Sequence, residues 1–360
     1  MAIRAGLPGG WVPSIPGGPR LRYPDAKTSD LAGKPDLQGE PVVVIDPFAW
    51  IAGWIHETIL LPILFRTGEM QWEDVSFMWA LFAVYGVLQV LINYAICVPA
   101  ERFWPLIRWE RRETVAMDVF YTLIARIGVF PLVTFFGFYW IQTAMNGWLT
   151  DHGYIPPTLE GLFPALLGMP VLTFFIYAVV LDFADYWRHR FSHTFGWWYG
   201  LHALHHAQRQ MTFWSDDRNH VLDDVITYVW FIGAGLLIGV PPMQFPLLVL
   251  TLRLVESFSH ANTRISFGRI GERLLVSPQF HRAHHGLDAS GRNSCNYGGV
   301  FPWWDMALRT ADFRRDVIET GDLRAPEALA SGSWLAQQRA GLALSWRLLT
   351  RKRRRRVAAE

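Results

Sequence analysis

The chain has 360 residues, of which 51% are hydrophobic and 18% are charged, and it contains 18 tryptophans and 24 phenylalanines. This composition excludes an ordinary soluble protein, because a soluble core does not need so many large aromatic side chains, whereas the interfacial belts of a membrane protein use them. The net charge of +2 indicates little about partners, and no nucleic-acid partner is expected. The two cysteines, Cys97 and Cys295, lie far apart, which excludes a disulfide framework, a thiolate zinc site and a cysteine-ligated iron–sulfur cluster.

The chain divides into three predicted segments. Residues 1–46 are rich in glycine and proline and lack the apolar core of a signal peptide, so we predict an irregular N-terminal leader. Residues 47–312 are predicted to form a membrane-embedded domain. Residues 313–360 are less apolar and are predicted to contain an amphipathic helix and a basic tail.

Long apolar runs in the central segment predict an all-α integral membrane protein with four to six transmembrane helices, arranged as helical hairpins. The uncharged run 75–100 is long enough to cross a bilayer, and residues 128–145 form a second such run. A third run, 162–181, is interrupted by Pro164 and Pro170, which membrane helices tolerate better than soluble ones.

Three further runs are ambiguous. Residues 225–240 and 245–252 are each too short to be confident spans and favour a helical hairpin or a re-entrant pair. Residues 48–65 contain His56 and Glu57 in their middle, so they form either a span or an interfacial helix.

Arginines in the loops predict the orientation. Residues 101–113 carry four arginines, whereas residues 146–161 carry none, so the first loop is expected in the cytoplasm and the second on the opposite side. The third span then returns to the cytoplasmic face just before the histidine-rich segments begin. We therefore expect these segments to converge there in a helical cap.

The C-terminal segment carries its own membrane signals. Residues 333–350 predict an amphipathic helix whose apolar side chains lie on the membrane surface: Trp334, Leu335, Leu342, Trp346 and Leu349. The run RKRRRR at 351–356 suits a cytoplasmic C-terminus. Thirty arginines against three lysines favour a bacterial protein, and hence a bacterial inner membrane.

Eight of the twelve histidines fall into three short clusters. The clusters are HRFSH, LHALHH and HRAHH, and they contain His189, His193, His202, His205, His206, His281, His284 and His285. On a helix, positions three and four apart share a face, so each cluster directs two or three imidazoles towards one point. Neutral imidazole is the commonest protein metal ligand, and zinc sites use only three or four protein ligands, so eight imidazoles indicate two metals.

The motifs DFADYWRHRFSH, LHALHHA and SPQFHRAHH, followed by NYG and WWD, resemble the fatty acid hydroxylase / sterol desaturase superfamily over residues 99–312. These proteins are membrane di-iron oxygenases with an eight-histidine motif. The resemblance implies two non-haem irons held by the eight clustered histidines. It also implies O2 as co-substrate, a lipid substrate in the membrane, and electrons from a separate donor of the ferredoxin or cytochrome b5 type with its reductase.

Other residues match patterns seen in this family. Asp185, four residues before His189, is predicted to accept a proton from a ligating imidazole. His260 is a ninth ligand candidate, and Glu256 is expected to support it, because a carboxylate near a membrane is costly unless it is paired or functional. His220 is a weaker candidate for a hydrogen bond near the site.

The remaining candidates are assigned to structure. Asn296 and Asp305 are expected to shape the closing loop of the site rather than to touch iron. His56 and His152 lie outside the histidine pattern and are interpreted as structural or interfacial.

Several functions stay open at this point. Hydroxylation of an unactivated C–H bond of a fatty acyl or sterol-like lipid is favoured, and desaturation or sterol methyl oxidation at the same site is the main alternative. A histidine-rich metal transporter and a zinc-dependent membrane hydrolase are remoter alternatives. A transporter would carry its ligands at mid-bilayer, and a hydrolase would leave most of the histidines unexplained.

Overall fold

The structure is a computed structural model that describes residues 47–109, 114–126, 129–240, 244–287 and 295–357. For residues 129–136 and 351–357 only the backbone is described. The predicted N-terminal leader lies outside the described residues, as do the end of the arginine-rich loop at 110–113 and the turn at 241–243.

The regular secondary structure of the described residues is helical, and the strand-type pairing consists of two isolated β-bridges. The first seven α-helices are α1 (Pro47–Ile55), α2 (Leu61–Thr67), α3 (Glu73–Phe103), α4 (Val115–Arg126), α5 (Val129–Asp151), α6 (Leu159–Leu162) and α7 (Pro170–Thr194). The others are α8 (Gly196–His206), α9 (Val221–Leu237), α10 (Phe245–Ser259), α11 (Gly268–Gly271), α12 (Pro278–His284), α13 (Trp303–Ala307), α14 (Glu327–Ser331) and α15 (Trp334–Val357). A π-helical turn at His56–Leu60 joins α1 to α2.

Among the residues that the structure describes, three helical stretches are long and apolar enough to cross a membrane: Pro47–Thr67, Met70–Phe103 and Pro170–Thr194. The predicted run 75–100 lies within the second of them. The ambiguous run 48–65 lies within the first, where the ring of His56 contacts the hydroxyl of Ser76 at 3.0 Å. An all-helical protein with membrane-length helices is therefore confirmed. Of the run 128–145, residues 129–145 lie in the 23-residue helix α5, outside these three stretches, and residue 128 lies outside the described residues.

The third predicted span is displaced along the chain. Helix α7 begins at Pro170, because the preceding residues form a 3-10 turn at Pro164–Leu166 and proline fits the first turn of a helix. The helix then runs on to Thr194, beyond the predicted end at residue 181. His189 and His193 thus lie in the last two turns of the same helix that carries the apolar run.

Helices α9 and α10 have 17 and 15 residues, so both are short for a membrane span, as the sequence indicated. Helix α10 packs in the core between α3 and α7. Its Leu250 packs in one cluster with Leu81 and Tyr85 of α3, and its Leu248 packs in another with Tyr177 of α7. This packing brings the C-terminal end of α10 towards the histidines.

Helix α15 covers α8, the helix that carries three of the histidines. The backbone of Ser345 comes so close to Gly200 that a Cβ there would lie 2.3 Å from the Ser345 Cα and N. On its other face, Leu335, Leu342, Trp346 and Leu349 are exposed, as the predicted amphipathic helix requires. Trp334 differs, since it packs against the core cluster that includes Leu204 and Leu344.

A buried ion pair between Arg218 and Asp118 connects α4 with the segment around α14. The Arg218 side chain is fully buried and donates to Asp118 Oδ1 at 2.7 Å. It also donates to the carbonyl oxygens of Leu329 and Ala330, at 2.6 and 3.0 Å. Removal of one partner of such a pair leaves an uncompensated buried charge, so α4 and α14 are held in fixed positions beside the histidine helices.

We expect Gly200→Ala to destabilise the protein by about 1–3 kcal/mol, because the added methyl group overpacks the contact between α8 and α15. The melting temperature of the protein in detergent measures this. Gly235→Ala on α9 is the matched control, since a Cβ there meets nothing within 4 Å and alanine is the better helix former. Equal melting temperatures for the two variants would contradict the proposed close contact.

Candidate metal centre

Five histidines from three elements form the first group. His189 and His193 come from α7, His202 and His206 from α8, and His284 from α12. Their ligand nitrogens all lie within 4.8 Å of one another. Helix α8 starts two residues after α7 ends, so the two helices turn sharply and present their histidines to one point.

The Nδ1 atoms of three of these rings have fixed partners. Nδ1 of His189 lies 2.9 Å from the Tyr297 carbonyl oxygen, and Nδ1 of His284 lies 2.7 Å from the Cys295 carbonyl oxygen. Nδ1 of His202 lies 2.9 Å from Asp223 Oδ2. A ring that donates from Nδ1 in its neutral form carries its lone pair on Nε2, which is the arrangement typical of metal-binding histidines.

The Nε2 atoms of four rings in this group are buried and have no hydrogen-bond partner within the described residues: His189, His193, His202 and His284. A buried polar atom without a partner is costly in a folded protein. Several such atoms that converge on one point are explained by a shared cation.

A second group contains His205, His260, His281 and His285. The Nε2 atom of His260 lies 3.2 Å from Nε2 of His205 and 3.1 Å from Nε2 of His281. The Nε2 atoms of His281 and His285 are also 3.1 Å apart. With metal–nitrogen bonds of about 2.0–2.1 Å, adjacent ligands around one ion lie about 3 Å apart, so this spacing fits a metal.

The two groups adjoin each other. The rings of His206 and His285 are stacked at 4.4 Å, and those of His284 and His285 are 5.2 Å apart. Eight of the nine side chains are buried, and His193 is half-buried. The residues present therefore fit two neighbouring metal ions in an all-imidazole environment, and His260 lies where a ninth ligand would be.

Burial makes these rings neutral. It lowers the pKa of His205, His206, His281 and His285 well below the ordinary value, and neighbouring histidines lower each pKa further. Burial likewise lowers the pKa of His284 to about 3. Neutral imidazole is the form that binds a metal.

Asp223 is a functional residue that the sequence reasoning missed. Its Oδ1 accepts from Trp198 Nε1 at 2.7 Å, while its Oδ2 holds His202. Burial raises its pKa, but the interactions with His202, Arg188 and Trp198 together lower it further, so the pKa lies below the ordinary value. The sequence did contain a signal for Asp223, because a carboxylate beside an apolar run is expected to be paired or functional.

Asp216 was missed in the same way. Its Oδ1 lies 3.7 Å from His260 Nδ1, and its Oδ2 accepts from the Ser257 hydroxyl at 2.7 Å. Ser257 in turn accepts from Gln89 of α3 at 3.1 Å. This chain of contacts connects a membrane-length helix to the second histidine group.

The predicted role of Asp185 needs correction. Its carboxylate accepts from Arg188 Nε at 2.6 Å, and the Nδ1 of His189 is held by the Tyr297 carbonyl instead. In the helix, Asp185 reaches the side chain three residues on, and a loop carbonyl takes the position that the aspartate was expected to fill.

Glu256 and His220 also differ from expectation. Glu256 supports His260 through its backbone carbonyl, 2.8 Å from Nδ1, whereas its carboxylate pairs with Arg253 at 3.0 Å. The Nδ1 of His220 caps α9 by accepting from the Leu222 amide, and its Nε2 bonds the Gln338 carbonyl. His220 is thus a helix cap outside both histidine groups.

Asn296 and Asp305 fix the conformation of the loop after residue 294, as the sequence indicated. Asp305 accepts from the amides of Tyr297 and Gly298. Asn296 has a φ of 56° and donates to the Phe280 carbonyl at 2.7 Å. Asparagine tolerates this left-handed conformation better than most residues do. Together these contacts fix the carbonyls that hold His189 and His284.

Comparison with known proteins agrees with this geometry. Residues 174–310 match the fatty acid hydroxylase family, which confirms the predicted resemblance. The matched segment contains all nine histidines of the two groups. No solved structure matches the chain significantly.

Three curated relatives illustrate what the segment is similar to. An alkylglycerol monooxygenase of Caenorhabditis elegans is 28% identical over 37% of this chain and 26% of its own length. The human alkylglycerol monooxygenase is 26% identical over 39% of this chain and 31% of its own length. A Delta(7)-sterol 5(6)-desaturase of Gibberella zeae is 29% identical over 36% of this chain and 38% of its own length. The match thus spans about a quarter to two-fifths of these relatives.

We expect Asp223→Asn to weaken metal binding about 10- to 100-fold, because it removes the acceptor that orients His202. Metal retained against a chelator measures the change. Asp224→Asn makes the same substitution one residue away, and Asp224 forms no hydrogen bond or ion pair with an imidazole in the described part of the chain, so it is the control. A similar loss in both variants would contradict a specific role for Asp223.

We expect the metal-free protein to lose stability as the pH falls. The folded protein holds these histidines at a lowered pKa, whereas unfolded histidine titrates near its ordinary value of about 6.5. The stability is therefore complete above about pH 6.5 and decreases towards the folded pKa, which for His284 is about 3. Melting temperatures measured between pH 8 and pH 5 test this. The melting temperature should depend less steeply on pH in a His205→Ala, His284→Ala variant.

Proposed function

We propose that this chain, which matches the fatty acid hydroxylase family over residues 174–310, is a membrane-bound non-haem di-iron oxygenase that hydroxylates an unactivated C–H bond of a lipid. The observation that carries the proposal is the pair of adjoining groups of five and four histidines. Zinc hydrolysis needs only one group of three or four ligands, so the second group favours two redox metals over one zinc.

The proposed reaction balances with an external reductant. One O2, two electrons and two protons convert a C–H bond to C–OH and release one water. Bound iron would supply the oxidising power, as cofactors do in general. The chain itself would supply the ligands and fix their orientation through Asp223 and the carbonyls of Tyr297 and Cys295.

The surroundings of the centre suit such a reaction. The histidines lie at the end of a membrane-length helix, where a lipid could approach without leaving the bilayer. The imidazoles are shielded from bulk water, which limits side reactions of a reactive oxidant.

Desaturation is the second candidate, because a sterol desaturase is 29% identical to this chain over the matched residues, against 28% for a monooxygenase. The two outcomes depend on how the substrate carbon lies relative to the oxidant. Small displacements change such outcomes strongly, so the products must decide.

The proposal also includes the electron donor and the membrane in which the protein lies. Electrons would come from a ferredoxin or a cytochrome b5 type donor with its reductase. The active site and the C-terminus would face the cytoplasm, in a bacterial inner membrane. Alkylglycerols are the first lipids to test, given the names of the relatives.

The first test is the metal content of the protein purified in detergent from iron-supplemented cells. We expect about two irons per chain, and we expect the double variant His205→Ala, His284→Ala to lose them, because it removes one ligand from each group. His152→Ala is the matched control, since this exposed ring bonds the Trp148 carbonyl and belongs to neither histidine group.

The same preparations are then given lipid, a reductant system and isotopically labelled O2. A labelled oxygen atom in the lipid supports hydroxylation, and loss of two hydrogens without label supports desaturation. A single zinc that survives the double substitution would reject the oxygenase and favour a hydrolase or a transporter.

A further inference from the structure

Helix α15 carries an apolar stripe on the face that points away from the protein. Its four large side chains are between 47% and 67% exposed: Leu335, Leu342, Trp346 and Leu349. At about 100° per residue, all four lie within about 60° of one another around the helix axis. A continuous apolar stripe is unfavourable in water, so it indicates that an apolar environment covers this face.

The same helix is strongly basic. The sequence RKRRRR at 351–356 directly follows the apolar stripe, and the backbone there continues the helix to Val357. Arg339 and Arg347 are two further exposed cations within the apolar part of the helix. Anionic phospholipids supply both the apolar chains and the negative headgroups that such a helix needs, and helices of this kind lie in the membrane surface.

The apolar stripe lies close to the end of the membrane-length helix α7. Four aromatic side chains follow one another at four-residue spacing along α7 and its C-cap: Phe183, Trp187, Phe191 and Phe195. The centroids of neighbouring rings in this series are 5.4–6.4 Å apart. A Cβ at the next residue, Gly196, would lie 3.7 Å from Leu348 Cβ of α15. The apolar surface thus continues from α7 to α15, so one bilayer can contact both helices.

The opposite face of α15 binds α8 and α9. Ser345 Oγ donates to the Trp197 carbonyl of α8 at 2.6 Å, and the Ser345 backbone is the one that approaches Gly200 closely. Gln338 Oε1 accepts from the amide of Val221, the first residue of α9, at 2.8 Å. Helix α15 therefore contacts both helices and helps to fix their positions relative to each other.

The relative position of α8 and α9 matters for the histidine site. His202 belongs to α8 and Asp223 to α9, and the carboxylate lies 2.9 Å from the Nδ1 of the ring. Because this contact joins two helices that α15 holds, a change in the mobility of α15 reaches the orientation of a metal-site imidazole. The membrane surface and the histidine site thus meet on opposite faces of one helix.

We infer that the outer face of α15 docks on an anionic phospholipid leaflet, and that this docking rigidifies α8 and α9 together with the contact between Asp223 and His202. The apolar stripe enters the leaflet, and the six cations of 351–356 bind lipid phosphates. The histidine site is then more rigid in a negatively charged membrane than in a neutral one.

Hydrogen exchange in nanodiscs of two lipid compositions tests the inference. The full-length protein is placed either in phosphatidylcholine alone or in phosphatidylcholine with about 30% phosphatidylglycerol, which makes the surface anionic. We expect the amides of α15 and α8 to exchange several-fold more slowly in the anionic nanodiscs, whereas those of α3 serve as the internal reference. No turnover is involved, so the outcome is independent of the proposed oxygenase.

Salt distinguishes the attraction to headgroups from the apolar contact. At about 1 M salt the Debye length falls to about 3 Å, so the attraction between the basic run and the headgroups is screened. The difference in exchange between the two lipid compositions should then disappear. A difference that is unchanged at high salt would contradict the role given to the cations.

Two variants separate the apolar stripe from the charge. Trp346→Glu places a carboxylate in the stripe, and a second variant has glutamine at all six positions of 351–356. Each should remove most of the difference between the two lipid compositions. Leu323→Glu is the control, because this leucine is 76% exposed and lies outside α15, and it should retain the difference. Melting temperatures in detergent check folding, and Trp346→Gln replaces Trp346→Glu if the latter does not fold.

Three results would overturn the inference. Equal exchange of α15 in both lipid compositions, or a difference that survives both variants, would reject the docking on anionic lipid. Slower exchange of α15 without any change in α8 would reject the connection to the histidine site. Protection of α15 that appears in detergent and increases with protein concentration would identify a second copy of the chain as the occupant of the stripe.

Discussion

The structure depends on one constraint, which is that buried neutral imidazoles must all present their lone pairs to the same place. A neutral ring does so only if its other nitrogen donates its proton elsewhere. The chain meets this need with groups that are distant in sequence, namely the Asp223 carboxylate and the carbonyls of Tyr297 and Cys295. Helix α9 and the loop after residue 294 are therefore parts of the site although they contribute no metal ligand.

A buried carboxylate, that of Asp182, helps to hold the loop that orients the imidazoles. Asp182 of α7 accepts from the amides of Val300 and Phe301 and from Trp304 Nε1, which ties the loop that carries these carbonyls to the helix that carries His189. Gly299 lies in this loop, where a Cβ would come within 2.9 Å of Glu256 Oε1. A larger residue there would displace the end of the Glu256 side chain. Asp182 thus acts by fixing backbone, whereas Asp223 holds a ring nitrogen directly.

Much of the site could be predicted from the sequence, because helical spacing is a local property. The spacing of His202, His205 and His206 brings all three to one end of α8, although His205 belongs to a different group from the other two. The apolar run before His189 brings that ring to the end of a membrane-length helix. His260 was identifiable by the acid four residues before it. Contacts between distant segments could not be predicted in this way, which is why Asp223 was missed and Asp185 was assigned a partner that it does not contact.

The predicted bounds of the third span, 162–181, were wrong for a related reason. Hydropathy averages over a window, and the apolar residues before Pro170 count towards the window although they form only short turns. The real helix starts at the proline and continues into polar sequence, where buried partners compensate Asp182 and Asp185. This extension has a functional consequence. Because the ligands continue the same helix as the apolar segment, the depth of the metal centre relative to the bilayer is fixed by covalent geometry, at about 1.5 Å per residue. If a membrane lipid is the substrate, as proposed, α7 also sets which of its atoms can reach the centre.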